Sequence, residues 1–161
     1  NNPLFDAYLT STREQLGMKI VSDREAVRRT AKAMQEHRAI AFLADQGALN
    51  TASSWVPFFG RLAKTPKGPA VLAIRWNVPV VFGVAMRLPD GRYRVGIEEI
   101  PVEQTGDRDA DVERVVARYS AALERWVRRD PTQYFWHHRR WKHQQPGTPP
   151  ALGDPLTEPV R

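Results

Sequence analysis

The 161-residue sequence contains no cysteine. That excludes disulfide scaffolding, thiolate nucleophiles and Cys-ligated zinc, and it allows a reducing compartment without requiring one. Long apolar runs are missing as well. No stretch approaches the roughly 18 residues that a membrane-spanning helix needs, and the opening NNPLFD has none of the features of a signal peptide, so membrane contact by this segment is expected to be peripheral. There is no initiator Met, from which the chain is expected to be part of something longer. Acids are outnumbered, at 18 against 24 Lys and Arg, and the formal charge of +6 favours acidic partners such as nucleic acid, anionic lipid, a phosphorylated ligand or an acidic carrier protein. An apolar content of 42% in one domain-sized chain argues for a folded core rather than wholesale disorder.

The stretch Ala41 to Gly68, AFLADQGALNTASSWVPFFGRLAKTPKG, organises the rest. Ala39 to Ala44 reads as a short buried strand with Asp45 and Gln46 at its C-terminal end, which is the edge where open α/β sheets bind ligands. The residues from Gln46 to Ser54 read as a loop over that edge. Trp55 to Phe59 reads as an unusually aromatic connection. Thr65 is expected to cap a helix running from Pro66 to about Trp76, whose free N–H groups would favour an anion, with Arg61, Lys64 and Lys67 adding positive charge.

Around this stretch, Asn2 and Pro3 open a helix carrying Leu4, Phe5, Tyr8, Leu9 and Leu16 until Gly17 stops it, and Arg13 lies off that stripe. Met18 to Val21 is a strand candidate. Ser22 or Asp23 caps a second helix with Ala26, Val27, Thr30, Ala33 and Met34 on its apolar side. A strand over Val80 to Met86, the turn Pro89-Asp90-Gly91 and a strand with Tyr93, Val95 and Ile97 on its half-buried face form a hairpin. The longest helix spans about Asp109 to Arg129, with Val112, Val115, Val116, Tyr119, Ala122, Leu123, Trp126 and Val127 facing inward. The run QYFWHHRRWK (133–142) fits an aromatic and basic nucleic-acid surface, a membrane-interface patch in which Arg139, Arg140 and Lys142 meet lipid phosphates, or an element packed on the sheet. From Gln144 to Arg161 the Pro-rich composition predicts a disordered tail. The pattern as a whole is α/β, with a largely parallel sheet flanked by helices and one antiparallel hairpin.

Five blocks, NNPLFDAYLTSTREQLG (1–17), LADQ (43–46), WVPFFGRLAKTPKGPAVLA (55–73), VPVVFGVAMRLPDGRYRV (78–95) and PTQYFWHHRRWK (131–142), resemble the lipid A late acyltransferases of the lysophospholipid acyltransferase superfamily, in the same order and spacing. The resemblance implies a glycerolipid acyltransferase-like fold, with 1–143 as the C-terminal portion of the acyltransferase domain and 144–161 as the tail. It implies transfer of a fatty acyl group from acyl carrier protein to a hydroxyl of a lipid A precursor, at the cytoplasmic face of the bacterial inner membrane and its anionic lipid surface, with no metal or organic cofactor. It also implies substrate-binding roles for Arg13, Asp45, Gln46, Arg61, Lys64, Thr65 and Lys67.

The catalytic His and carboxylate of that resemblance, HX4D/E, have no counterpart here. Five positions beyond His37, His137, His138 and His143 stand Phe42, Lys142, His143 and Thr148. A carboxylate in that place would fix the tautomer of the ring and stabilise the imidazolium as it takes a proton from an alcohol. The resemblance implies that the base, preceded by a membrane anchor, lies upstream, and the chain alone is expected to be inactive. His137 and His138, beside Arg139, Arg140 and Lys142, are expected to have lowered pKa values and a structural or substrate-positioning role. Three other readings stay open at this level: acylation of phosphatidylinositol mannosides from acyl-CoA, a non-catalytic module binding anionic lipid, and a nucleic-acid binder, the last lacking any recognisable motif.

Overall fold

The computed structural model describes residues 2–21, 26–47 and 52–145 and divides into two compact units, Asn1–Ala41 and Phe42–Arg161. The first holds helices α1 (Pro3–Gln15) and α2 (Ala26–Gln35). Asn2 caps α1, its side-chain oxygen accepting from the N–H groups of Leu4 and Phe5, and Pro3 takes the first turn, as the sequence leads one to expect. Gly17 closes the helix, its N–H and that of Met18 returning to the carbonyls of Glu14 and Arg13. The apolar stripe of α1 is nevertheless uncovered: no residue of the helix is buried, and Leu4 stands 81% exposed. On α2, Thr30 is buried and its hydroxyl donates to the Ala26 carbonyl. The proposed caps Ser22 and Asp23 lie outside the described residues.

The second unit holds strands β1 (Ser53–Phe58) and β2 (Arg61–Pro66), helix α3 (Gly68–Trp76), strands β3 (Val80–Arg87) and β4 (Tyr93–Ile100) and helix α4 (Arg108–Arg129), followed by a short 3-10 turn over Pro131–Gln133. The architecture is thus mixed α/β, but among the described residues the strands form two separate antiparallel pairs, β1 with β2 and β3 with β4, and the expected parallel sheet is not seen. Neither 18–21 nor 39–44 is a strand. A short apolar run becomes a strand only where a neighbour satisfies its N–H and C=O groups, and no described residue pairs with either segment.

The expected aromatic connection at 55–59 is instead most of β1. Alternation explains it, because Ser54, Val56 and Phe58 are buried while the residues between them are less so. Phe59 and Gly60 form the two-residue turn to β2, both with positive φ (51° and 76°). That is the turn type whose twist suits a hairpin, and Gly60 adopts it without a side-chain clash. Phe59 is held there by its N–H donating to the Glu124 carboxylate at 2.6 Å, by the Arg128 guanidinium 4.6 Å from its ring, and by edge contact with Phe58. The expected helix start at Thr65-Pro66 is also displaced. Both residues belong to β2, opposite Ser54 and Ser53, and α3 begins at Gly68 with Pro69 in its first turn and Lys67 as a cap residue without a side-chain bond.

The β3–β4 hairpin forms with the expected turn, Gly91 N–H bonding the Leu88 carbonyl. Its orientation is the reverse of the expected one, for Tyr93, Val95 and Ile97 point outward, Ile97 being 73% exposed. The reason is Gly96. A Cβ there would collide with the Trp126 ring of α4, so the face of β4 that lacks a side chain turns inward and its neighbours turn out. The helix α4 matches expectation closely: Asp107 caps it through the Ala110 N–H, and Val112, Val115, Val116, Tyr119, Ala122 and Val127 are buried. With Val56, Ala70, Ile74 and Ile100 these side chains make one core, so α4 packs against β1, α3 and the second hairpin. Beyond 145 the proposed tail lies outside the described residues.

Candidate functional site

Asp45, Lys64 and Thr65 are brought together by residues that follow α4. The chain from Tyr134 to Trp141 has no regular secondary structure, yet it is tied down by side chains. The Tyr134 hydroxyl donates to the Asp45 carbonyl at 2.6 Å, and the Gly47 N–H donates to Nε2 of His138 at 2.8 Å. Arg140, only 3% exposed, donates through Nη1 to the Lys64 carbonyl at 2.8 Å and through Nη2 to the Thr65 hydroxyl oxygen at 2.7 Å, while Thr65 donates to the Ala63 carbonyl. Tyr119 of α4 donates its hydroxyl to the Pro66 carbonyl. Main-chain groups on both sides of the candidate site are therefore held by side chains from elsewhere in the unit.

Aromatic rings supply the walls. Phe58, fully buried, lies 5.8 Å from the rings of both Tyr134 and Trp141, and the Arg140 guanidinium sits 5.3 Å from the Phe58 ring centre. Arg61 lies 5.8 Å over Trp141. A cation over an aromatic face is favourable, and more so where water is excluded. Burial lowers the pKa of Arg140, opposed by Tyr134 and the Asp45 carboxylate; burial pushes Tyr134 up to about 12, so its hydroxyl stays a donor throughout the physiological range. For His138, burial is the largest cause of a lowered pKa, with Arg140 and Lys142 adding to it and Asp45 alone opposing. The expected depression is present, with desolvation ahead of the cations as its source.

Other residues nominated from sequence distribute differently. Arg13 belongs to the first unit, on α1. Arg61 and Lys64 are three positions apart on β2, which sends them to opposite faces, so Arg61, Lys64 and Lys67 do not ring one helix start. Arg140 cannot meet lipid phosphates from its buried place, whereas Arg139 is exposed and Lys142 partly so. Gln46 is exposed beside Asp45. Tyr134 and Tyr119 were not singled out by the sequence for the site. The one signal pointing to Tyr134 is its place in the aromatic-basic run, and nothing local distinguishes Tyr119 from a core residue.

Among the described residues no histidine is hydrogen-bonded to a carboxylate, no group of three His, Asp or Glu side chains gathers, and no helix is long and apolar enough to cross a membrane. An open depression of about 310 Å³ lies at the start of α4, lined by Ile74, Arg75, Gln104, Gly106, Arg108 and Asp111. It shares no residue with the Asp45 cluster. Asp111 there is buried, which pulls its pKa upward, but bonds from the Thr105 hydroxyl and N–H and the charge of Arg114 hold it below the usual range.

What this arrangement serves is narrowed by comparison with known proteins. The chain belongs to the bacterial lipid A biosynthesis acyltransferase family, whose pattern matches residues 1–143. It is 29% identical over 151 residues to a lipid A biosynthesis lauroyltransferase of Escherichia coli strain K12, covering 92% of this chain and 48% of that protein. It is also 29% identical over 157 residues to a lipid A biosynthesis acyltransferase of Haemophilus influenzae strain Rd, covering 96% of this chain and 49% of the relative. The chain thus spans about half the length of these curated relatives.

Proposed function

We propose that this chain contributes the cleft wall of an O-acyltransferase that moves a fatty acyl group from acyl carrier protein to a hydroxyl of a lipid A precursor. The observation that carries this reading is the family match across 1–143, which includes every residue of the Asp45 cluster. The names of the two relatives, a lauroyltransferase and an acyltransferase of lipid A biosynthesis, support the acyl group and the acceptor. In the proposed reaction a histidine takes the acceptor's proton, the alkoxide attacks the thioester carbonyl, and the carrier thiolate leaves and is reprotonated. None of the four histidines here has a carboxylate five positions on or bonded to its ring, so the base is assigned to a HX4D/E motif outside these residues.

Asp45 and Gln46 are assigned to acceptor contact, and Arg13 to an acceptor phosphate, for which a guanidinium is suited. Lys64, Lys67 and Arg61 are assigned to the acidic carrier or lipid phosphates, with Arg139 and Lys142 at an anionic membrane surface on the cytoplasmic side, whereas Thr65, 1% exposed and bonded to Arg140 and Ala63, is left out of substrate contact. In this reading the second unit is part of a glycerolipid acyltransferase-like fold.

The test is thioester consumption and acylated lipid product, by mass spectrometry, with the 161-residue chain and the intact enzyme side by side in detergent. The chain alone should give no product, and Asp45→Ala and Arg13→Ala in the intact enzyme should each lower turnover at least roughly tenfold with native circular dichroism. Turnover by the chain within about tenfold of the intact enzyme would put the base inside these residues and overturn the assignment.

A further inference from the structure

We propose that Tyr134, His138 and Arg140 act together as a latch that positions Asp45 for the reaction by fixing the main chain of residues 45–47 against the end of β2. The inference rests on the functional reading above; it adds Tyr134 and Arg140 as positioning residues and gives the structural or substrate-positioning role expected of His138 a specific target, the main chain at Gly47.

The latch bonds main chain, and it meets the Asp45 carboxylate only through charge. The Asp45 carbonyl accepts from Tyr134 and the Gly47 N–H donates to His138, so the peptide groups on both sides of Gln46 are tied to the same short segment. Rotation about the intervening backbone bonds would break one bond or the other. Asp45 itself is half-buried, and its side chain makes no hydrogen bond or ion pair among the described residues. Here the backbone is fixed while the carboxylate makes no hydrogen bond among the described residues, its charge felt by His138 and Arg140 and still open to a substrate group.

Two further features fit a latch rather than incidental contact. Gly47 approaches so closely that a Cβ would lie 3.4 Å from Nη1 of Arg140, from Nε2 of His138 and from the Lys64 carbonyl oxygen, so the loop seats against both latch side chains and β2 at once. Arg140 carries the connection on to β2 through Lys64 and Thr65. The latch also has a chemical condition. Nε2 of His138 accepts a hydrogen bond from the Gly47 N–H, which requires the neutral ring with its own proton on Nδ1. Burial disfavours the imidazolium most, Arg140 and Lys142 add to this, and Asp45 favours it. Protonation would remove the acceptor and set a cation against an N–H donor, so the latch opens as pH falls.

A purely structural contact would change stability without shaping the pH dependence of turnover, and the experiment separates the two. In the full chain, the exchange rate of the Gly47 amide is followed by nuclear magnetic resonance together with the His138 titration. The amide should be protected while His138 is neutral, exposed once it is protonated, exposed in His138→Leu, and largely protected in His138→Gln, whose side-chain oxygen can accept the same bond. In the intact enzyme, Tyr134→Phe and His138→Leu should each lower kcat roughly ten- to a hundredfold with a smaller change in KM, the scale of a misplaced reacting group. His138→Gln should recover most of the loss and remove the acid limb that His138 imposes on the pH profile. Equal protection of Gly47 in His138→Leu would overturn the latch. Loss of protection with turnover unchanged would overturn its positioning role. Expected protection with no acyl transfer by the unsubstituted intact enzyme would overturn the functional reading, and with it the role assigned here.

Discussion

Arg140→Ala is the perturbation whose size follows most directly from the structure. Its guanidinium is buried with two hydrogen bonds to β2 and a ring contact to Phe58, while Nε has no partner. Truncation leaves the Lys64 carbonyl without its donor, at about 1–3 kcal/mol, whereas Thr65 keeps its bond to Ala63. The loss of buried methylenes adds about 0.8 kcal/mol for each, and the ring contact about 0.5–1 kcal/mol. Relief from burying a charge offsets part of this, so a net loss of about 3 kcal/mol is expected. For a chain of this size each kcal/mol shifts Tm by roughly 2–4 °C, which gives a drop of about 6–12 °C. Arg140→Met, which keeps the stem, should lose about half as much, and Arg140→Lys should fall between the two because an ammonium can reach only one of the acceptors. Thermal unfolding followed by circular dichroism at 222 nm reads all three. A drop under about 2 °C for Arg140→Ala would mean that the C-terminal segment is not held by this residue, and the account of the site would fail at its central contact.

Gly96→Val should destabilise by about 1–3 kcal/mol because the new side chain meets the Trp126 ring, whereas Gly83→Ala on the facing strand, where a Cβ meets nothing, should be neutral or slightly stabilising; urea midpoints of the pair check the contrast. With its folded pKa lowered, His138 makes stability depend on pH: the unfolded chain takes up the proton first, so stability is full above the unfolded value of about 6.5 and falls as pH drops below it toward the folded pKa. His138→Gln should flatten that segment of a stability curve measured from pH 8 to 5, and an unchanged slope would count against His138 as its source.

Local signals in the sequence led to the right local structures. Asn2-Pro3 and Gly17 bound α1, Pro89-Asp90-Gly91 turns the second hairpin, and the periodicity from Val112 to Val127 gives the buried side of α4. Errors arose where a distant neighbour decides the outcome. Whether 39–44 becomes a strand depends on a pairing partner that local pattern cannot supply. Thr65-Pro66 satisfies every local rule for a helix start but is claimed by β1 across a two-residue turn, a competition in which hairpin pairing outweighs a capping preference. For β4, both faces carry apolar residues, and only the Trp126 ring over Gly96 decides which one turns inward. In the candidate site, Asp45 and His138 could be flagged from sequence by type and neighbours. Their meeting across 91 positions between Gly47 and His138 could not.

The two tyrosine hydroxyls at the site have a consequence for how such a protein can change. Tyr134 and Tyr119 donate to carbonyl oxygens of Asp45 and Pro66, atoms that every amino acid presents alike. A replacement at position 45 therefore alters the side chain presented there while the chain path beneath it stays anchored. New side chains can be tried at that position one codon at a time, without first rebuilding the main chain that carries them. The grip is thus indifferent to the side chains carried by the residues it holds.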